Sequence, residues 1–216
     1  MNCLVTAGPT YEPIDEVRRL TNFSTGALGT RLAGFLAAQG WTVTLLRGRL
    51  ATFGEQPDGV DLVEFTTSAA LAGQLEARQS DQVRAVFHAA AVGDFAVSRV
   101  LRRTAEGGLE AVHAGKLDSR GAPLLLELTS TPKIIARLRD WFPKAFLAGW
   151  KYEVDGDRAT TIAKARRQCV ECGTNVCVAN GPAYGDGFAL VRADEAPLHF
   201  PDADTLFPAL GVSPHY

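Results

Sequence analysis

Long apolar runs are missing from this 216-residue chain. A helix that crosses a bilayer needs roughly 20 consecutive apolar residues. The nearest approach, AVFHAAAV at 85–92, is short and is interrupted by His88. A charged N-terminal segment leading into an apolar core is also missing, so the sequence predicts no secretory signal, no membrane partner and a cytoplasmic location. Charge of one sign is not in excess: 22 Lys and Arg stand against 24 Asp and Glu, for a net charge of −2. That balance argues against a nucleic-acid-binding surface, and any basic patch must be local. Cysteine is scarce, with four in all. Cys169-Val-Glu-Cys172 has zinc-like spacing with Cys177 nearby, but a structural zinc needs four ligands and Cys3 lies far away in sequence. The pair is read more simply as packing on one helix face. Two common phosphate signatures are absent: no G-x-G-x-x-G follows the first strand, and no G-x-x-x-x-G-K-[ST] occurs anywhere. No tyrosine is followed by a lysine four residues on, which counts against a short-chain dehydrogenase. Internal repeats, low-complexity tracts and long linkers are lacking, and one domain over 1–216 is expected.

What the chain does have is alternation. Apolar β-type runs at Cys3–Ala7, Thr42–Arg47, Leu62–Phe65, Val86–Ala91, Phe146–Trp150 and Val176–Ala179 predict strands. Helical patterns fall between them at 27–39, 67–78, 132–140 and 156–172, and the first ends at Gly40, a suitable C-cap. This pattern predicts an α/β protein: a Rossmann-like, three-layer, doubly wound and mainly parallel sheet. Residues 96–130 break the rhythm with two glycine-containing turns and the strand-like LLLELT, which predicts a small antiparallel arm. Ala189–Val191 and Leu198–Phe200 resemble a hairpin, and a short helix at 203–209 closes the pattern.

The segment Leu4–Ala33 carries the most chemistry. An apolar strand leads into Ala7-Gly8-Pro9-Thr10, a charged loop bears Arg18 and Arg19, and Asn22-Phe23-Ser24-Thr25-Gly26 opens a helix at Ala27. Helix-start N–H groups and the helix dipole favour an anion, and two such turns converge here. A phosphorylated ligand is therefore expected. The plainer alternative is a capped helix start, with Gly29 serving only a close helix–strand contact.

VTAGPTxEPxDxVRxxTNxSTGxxG at the start resembles phosphopantothenoylcysteine synthetases, which join 4′-phosphopantothenate to cysteine in coenzyme A biosynthesis. AAAVGDF at 89–95, GKLDS at 115–119, AGWKYE at 148–153 and VANG at 178–181 follow in the family's order. The resemblance implies a nucleotide-dependent carbon–nitrogen ligase that works through an acyl-nucleotide, with CTP or ATP as co-substrate and Mg²⁺ or a similar cation. It implies catalytic roles for Asn22, which would hold the acyl-nucleotide, and for Lys116, which would clamp phosphate. Substrate binding falls to Gly8, Arg18, Ser24, Gly26, Gly29, Trp150 and Asn180, with Trp150 stacking on the ligand and Arg18 reaching into a neighbouring subunit. Nucleotide binding falls to Ala90, Ala91, Asp94, Phe95, Lys116 and Lys151, with Asp94 also the metal ligand. A homodimer covering the apolar arm is expected.

Two departures from the family pattern matter. Lys116-Leu117-Asp118-Ser119 replaces the lysine-rich K-x-K-K loop of many bacterial members, and lysines in the helix before VANG are differently placed. The choice between CTP and ATP stays open, as does a non-catalytic sensor of phosphopantothenate or nucleotide. The flavin-binding domain fused to many bacterial members finds no room in 216 residues, so no flavin is expected and the single-function form is.

Overall fold

A computed structural model describes residues 1–212. Six parallel strands form its centre: β1 (Asn2–Ala7), β4 (Thr42–Gly48), β5 (Val60–Phe65), β6 (Val83–His88), β10 (Phe146–Tyr152) and β11 (Val176–Asn180). Their order is β11-β10-β6-β1-β4-β5. β1 therefore sits mid-sheet, in register with β4 (Val5↔Leu45) on one side and β6 (Val5↔Phe87) on the other. The chain winds outward from β1 to β5, returns across it and winds the other way. This is the doubly wound order, and it creates a switch point between β1 and β6. The expected hairpin is present as β12 (Phe188–Val191) and β13 (Leu198–Phe200), which extend the sheet antiparallel beyond β11.

Helices cover both faces because the strands are apolar on both. Leu32 and Leu36 of α1 (Ala27–Ala38) and Leu206, Phe207 and Leu210 of α5 (Ala203–Val212) pack on Val5, Val43 and Phe87. On the opposite face, Leu71 and Leu75 of α2 (Ser68–Glu76) and Leu138 and Trp141 of α3 (Ile134–Trp141) meet Leu4, Leu46, Val86 and Leu147. Ala165 and Cys169 of α4 (Arg158–Cys172) bury against Cys177, Ala179 and Val191, so Cys169 serves packing, while Cys172 is only partly buried outside that cluster. Helix ends are set locally. Gly40, at φ 83°, stops α1. Asp157 and Thr160 form a reciprocal capping box that starts α4.

The arm is a three-stranded antiparallel sheet of β8 (Leu109–Ala111), β7 (Phe95–Arg103) and β9 (Leu124–Ser130), in that order. One element goes beyond the sequence reading. The charged loop after Gly8 is a small hairpin of β2 (Tyr11–Pro13) and β3 (Arg19–Thr21), and β2 lies against β7. Buried Glu12 of β2 accepts the N–H of Ser68 at 2.9 Å, which gives the first turn of α2 an acceptor. No helix among the described residues is long and apolar enough to cross a membrane.

Candidate active site

Ligands of open α/β sheets bind outside the carboxyl ends of the strands, at the switch point. Here β1 and β6 stay stitched together past their ends. The Ala91 N–H donates to the Gly8 carbonyl at 2.9 Å, and the Thr10 N–H donates to the Ala91 carbonyl at 3.1 Å. The Gly93 N–H donates to Thr10 Oγ1 at 2.8 Å. Asn22 bridges the same turn, its side-chain amide donating to the carbonyls of Ala91 (3.4 Å) and Val92 (3.2 Å). Its Nδ2 is thus occupied within the chain, and Oδ1 has no partner among the described residues.

Beside this turn the glycines make a close-packed cradle. Gly8 and Gly26 have φ of 76° and 79°, a region that L side chains rarely adopt. A Cβ on either would lie within 2.9 Å of the Ala51 methyl. Ala51 belongs to a third wall that the sequence reading missed. Its partner Gly48 faces Pro9 so closely that a Cβ would fall 2.2 Å from the Pro9 carbonyl oxygen. The only sequence signal was a glycine directly after a strand. Gly29 lies in the first turn of α1, buried, and a Cβ there would sit 2.7 Å from that of Ala7. Its lack of a side chain therefore serves helix–strand packing, and only its backbone is available to a ligand. The first intrahelical bond of α1 runs from the Thr30 N–H to the Gly26 carbonyl, and the Ala27 N–H is capped by Thr25 Oγ1. The N–H groups of Leu28 and Gly29 thus stand at the helix start without an intrahelical acceptor, and the half-buried Ser24 just before the helix has no hydrogen-bond partner for its hydroxyl among the described residues.

The remaining expected residues fall in two groups. Lys116 is exposed and its ammonium has no partner among the described residues. Its loop is tied to the β2–β3 hairpin, where Arg18 pairs with Asp15 and donates to the Leu117 carbonyl at 3.1 Å. Within its own chain the Arg18 guanidinium is thus anchored at the hairpin tip, with its side chain 42% exposed. At the far side, the side-chain amide of Asn180 is unbonded at the end of β11, and Lys151 pairs with Glu153 at 3.3 Å. Trp150 is half-buried, its indole packed against the core with Nε1 buried and unpartnered among the described residues. Ala90 and Ala91 are half-buried in the turn, and Phe95 starts β7 half exposed.

Asp94, the residue expected to bind the metal, is already paired within the chain. Its carboxylate is in an ion pair with Lys133, a residue the sequence reading passed over at the start of α3. Among the described residues no three His, Cys, Asp or Glu side chains converge on a point. The described residues therefore form no all-protein cage, and Asp94 offers the single carboxylate that would suit a divalent ion carried on substrate phosphates.

Beneath the switch point lies buried His88, 6% exposed, whose Nδ1 is 2.9 Å from Thr6 Oγ1. Thr6 Oγ1 in turn accepts the Ala90 N–H at 3.0 Å. The pair supports the Ala90–Ala91 turn from below. Burial lowers the His88 pKa from 6.5 to about 4. Between those values the unfolded chain binds a proton that the native imidazole refuses. Stability is therefore fully present above the unfolded pKa and falls as pH drops toward the folded one. A shift of this size corresponds to about 3 kcal/mol. Urea unfolding of the native protein and of His88→Asn, each at about pH 7.5 and pH 4.5, should show the native chain losing about 2–3 kcal/mol more than the variant on acidification. An equal loss in both would remove His88 as the cause.

Residues 1–196 match the family described as DNA/pantothenate metabolism flavoprotein C-terminal domain. The coenzyme A biosynthesis bifunctional protein CoaBC of Thermococcus kodakarensis is 36% identical over 179 residues, covering 82% of this chain and 40% of that protein. Its Escherichia coli K12 counterpart is 26% identical over 213 residues, covering 96% of this chain and 48% of that protein. The chain thus spans less than half the length of these curated relatives. Among solved structures, the DNA/pantothenate metabolism flavoprotein from Streptococcus pneumoniae superposes with a TM-score of 0.84 at 26% identity, covering 97% of this chain and 96% of that one.

Proposed function

We propose the activity that follows from membership: this chain belongs to the DNA/pantothenate metabolism flavoprotein C-terminal domain family, and it ligates 4′-phosphopantothenate to L-cysteine with CTP or ATP as co-substrate. The observation that carries this reading is the juxtaposition at the switch point. A glycine-walled cradle with free helix-start N–H groups stands beside Asn22 and the Ala90–Ala91 turn, and an unpaired Lys116 is displayed on a loop tied to the same hairpin. The cradle suits the phosphate of phosphopantothenate. With that end fixed, the substrate carboxylate attacks the α-phosphorus of the nucleotide, and the bond to the departing pyrophosphate breaks. Charge builds on the phosphate oxygens, where Lys116 supplies a compensating cation. Asn22 Oδ1 and the turn hold the resulting acyl-nucleotide without placing a negative charge beside it. The amine of cysteine then attacks the acyl carbon and the nucleoside monophosphate leaves.

The arm supports a homodimer. Leu126 and Leu128, two residues apart on β9, are 40% and 44% exposed, and a second copy of the chain is the cover we assign to them.

The test is product analysis with each nucleotide in turn. Phosphopantothenate alone should release at most one pyrophosphate per site, and continued release of pyrophosphate with nucleoside monophosphate should require cysteine as well. Orthophosphate with a nucleoside diphosphate would reject the acyl-nucleotide route. Tight phosphopantothenate binding with no turnover would instead leave a ligand sensor.

A further inference from the structure

We propose that Asp15 is the positioning residue for Lys116, acting through a latch in which the tip of the β2–β3 hairpin grips the backbone on both sides of that lysine. The assignment of Lys116 rests on the function given above; the latch itself does not.

Lys116 lies in the segment between β8 and β9, where the arm offers little to hold it. What holds it comes from about a hundred residues earlier in the sequence. The Asp15 side chain is 1% exposed. Its Oδ1 accepts the N–H groups of Val17 (2.9 Å) and Arg18 (2.7 Å), and its Oδ2 accepts the N–H of Leu117 (3.0 Å). The Arg18 guanidinium pairs with Oδ2 and donates to the Leu117 carbonyl at 3.1 Å, so Leu117 is held by both of its backbone groups. On the other flank the Glu16 N–H donates to the Gly115 carbonyl at 2.9 Å. The Leu117 side chain is 5% exposed, while Lys116 between the two clamped residues points to solvent with no partner. The chain thus fixes the backbone of residues 115 and 117 and leaves the ammonium of 116 free for a ligand.

The carboxylate is well suited to this task. The Leu117 N–H, followed by those of Val17 and Arg18, holds the Asp15 pKa down from 3.8 to about 2, so the group is ionised throughout the working range. An asparagine of the same shape has one accepting oxygen where aspartate has two. It must turn an NH₂ toward either Leu117 or the hairpin N–H groups, and it leaves Arg18 without a counter-charge. One flank of the lysine is then released. Misplacing a reacting group by about 1 Å costs on the order of 100-fold in rate.

The experiment uses the full chain carrying Asp15→Asn, with Arg18→Met as a second route to the same release should Asp15→Asn fold poorly. Trypsin cleavage within residues 112–123, followed by mass, reads the latch without any activity. At an unchanged thermal midpoint, cleavage should be about 10-fold faster or more in the variants. Unchanged cleavage in both overturns the latch. The second readout is a cycle with Lys116→Ala. Asp15→Asn should lower the rate of acyl-nucleotide formation about 10- to 100-fold in the native background, mainly through kcat. In the Lys116→Ala background it should have no further effect. An equal loss in both backgrounds overturns the role in positioning Lys116. If the unmodified chain releases no pyrophosphate, the ligase reading falls while the cleavage result still decides the latch.

Discussion

Lys116→Ala is expected to abolish measurable formation of the acyl-nucleotide while leaving phosphopantothenate binding intact. The argument is electrostatic. The ammonium has no partner among the described residues, so its removal leaves no buried charge or broken ion pair behind there. Folding should be unaffected, and the whole effect should fall on charge that develops on the nucleotide phosphates. Removing one such donor costs about 100- to 1,000-fold in rate. Single-turnover release of pyrophosphate, measured beside calorimetric binding of phosphopantothenate, separates the two steps. Near-normal release would move the phosphate clamp to another cation. Lys133 is the first to examine, since only an exposed ion pair with Asp94 holds it.

Gly48→Ala should damage the protein more than its conservative chemistry suggests. A methyl at 48 would sit 2.2 Å from the Pro9 carbonyl oxygen, inside van der Waals contact with backbone that has nowhere to go. The turn at Gly8–Pro9 must shift, and it is fixed to Ala91 by two backbone hydrogen bonds. Overpacking of this kind costs about 1–3 kcal/mol. The displaced turn should also weaken phosphopantothenate binding by at least 10-fold. Gly54→Ala is the matched control, because a Cβ there meets nothing within 4 Å. It should leave both melting temperature and affinity unchanged. Equal behaviour of the two variants would show that the third wall does not shape the cradle.

The parallel sheet was legible because its strands are covered on both faces and so read as near-continuous apolar runs; Cys3–Ala7 is buried at every position. α1 was legible from the stripe Leu28, Leu32, Leu36 and its glycine stop. The hairpin of β2 and β3 was not, since three-residue strands in a charged segment carry no periodicity, and Glu12 looks like a surface acid until Ser68 is placed above it. The site followed the same division. Residues whose role is local, such as Gly8 and Gly26, announce themselves through turn chemistry. Residues whose partners are distant do not. Asp15 meets Leu117 at a separation of 102 residues, and Asp94 meets Lys133 across 39. Trp150 is ambiguous in sequence because an aromatic at a strand end suits a ligand and a core equally well, and in the fold its half-buried ring packs against the core.

The cradle draws all its walls from the stretch between Gly8 and Ala51, that is, from β1, α1, β4 and the turns joining them. Contacts of such short separation form early and at small entropic cost, and during synthesis the N-terminal unit emerges first. The other half of the site depends on Ala91 and on a loop clasped at Leu117, which arrive much later along the chain. On the proposed site, the phosphate cradle is thus encoded in the first quarter of the polypeptide, and the power to use it waits on long-range closure. A folding intermediate with only β1, α1 and β4 in place would then hold phosphate before it was able to turn it over.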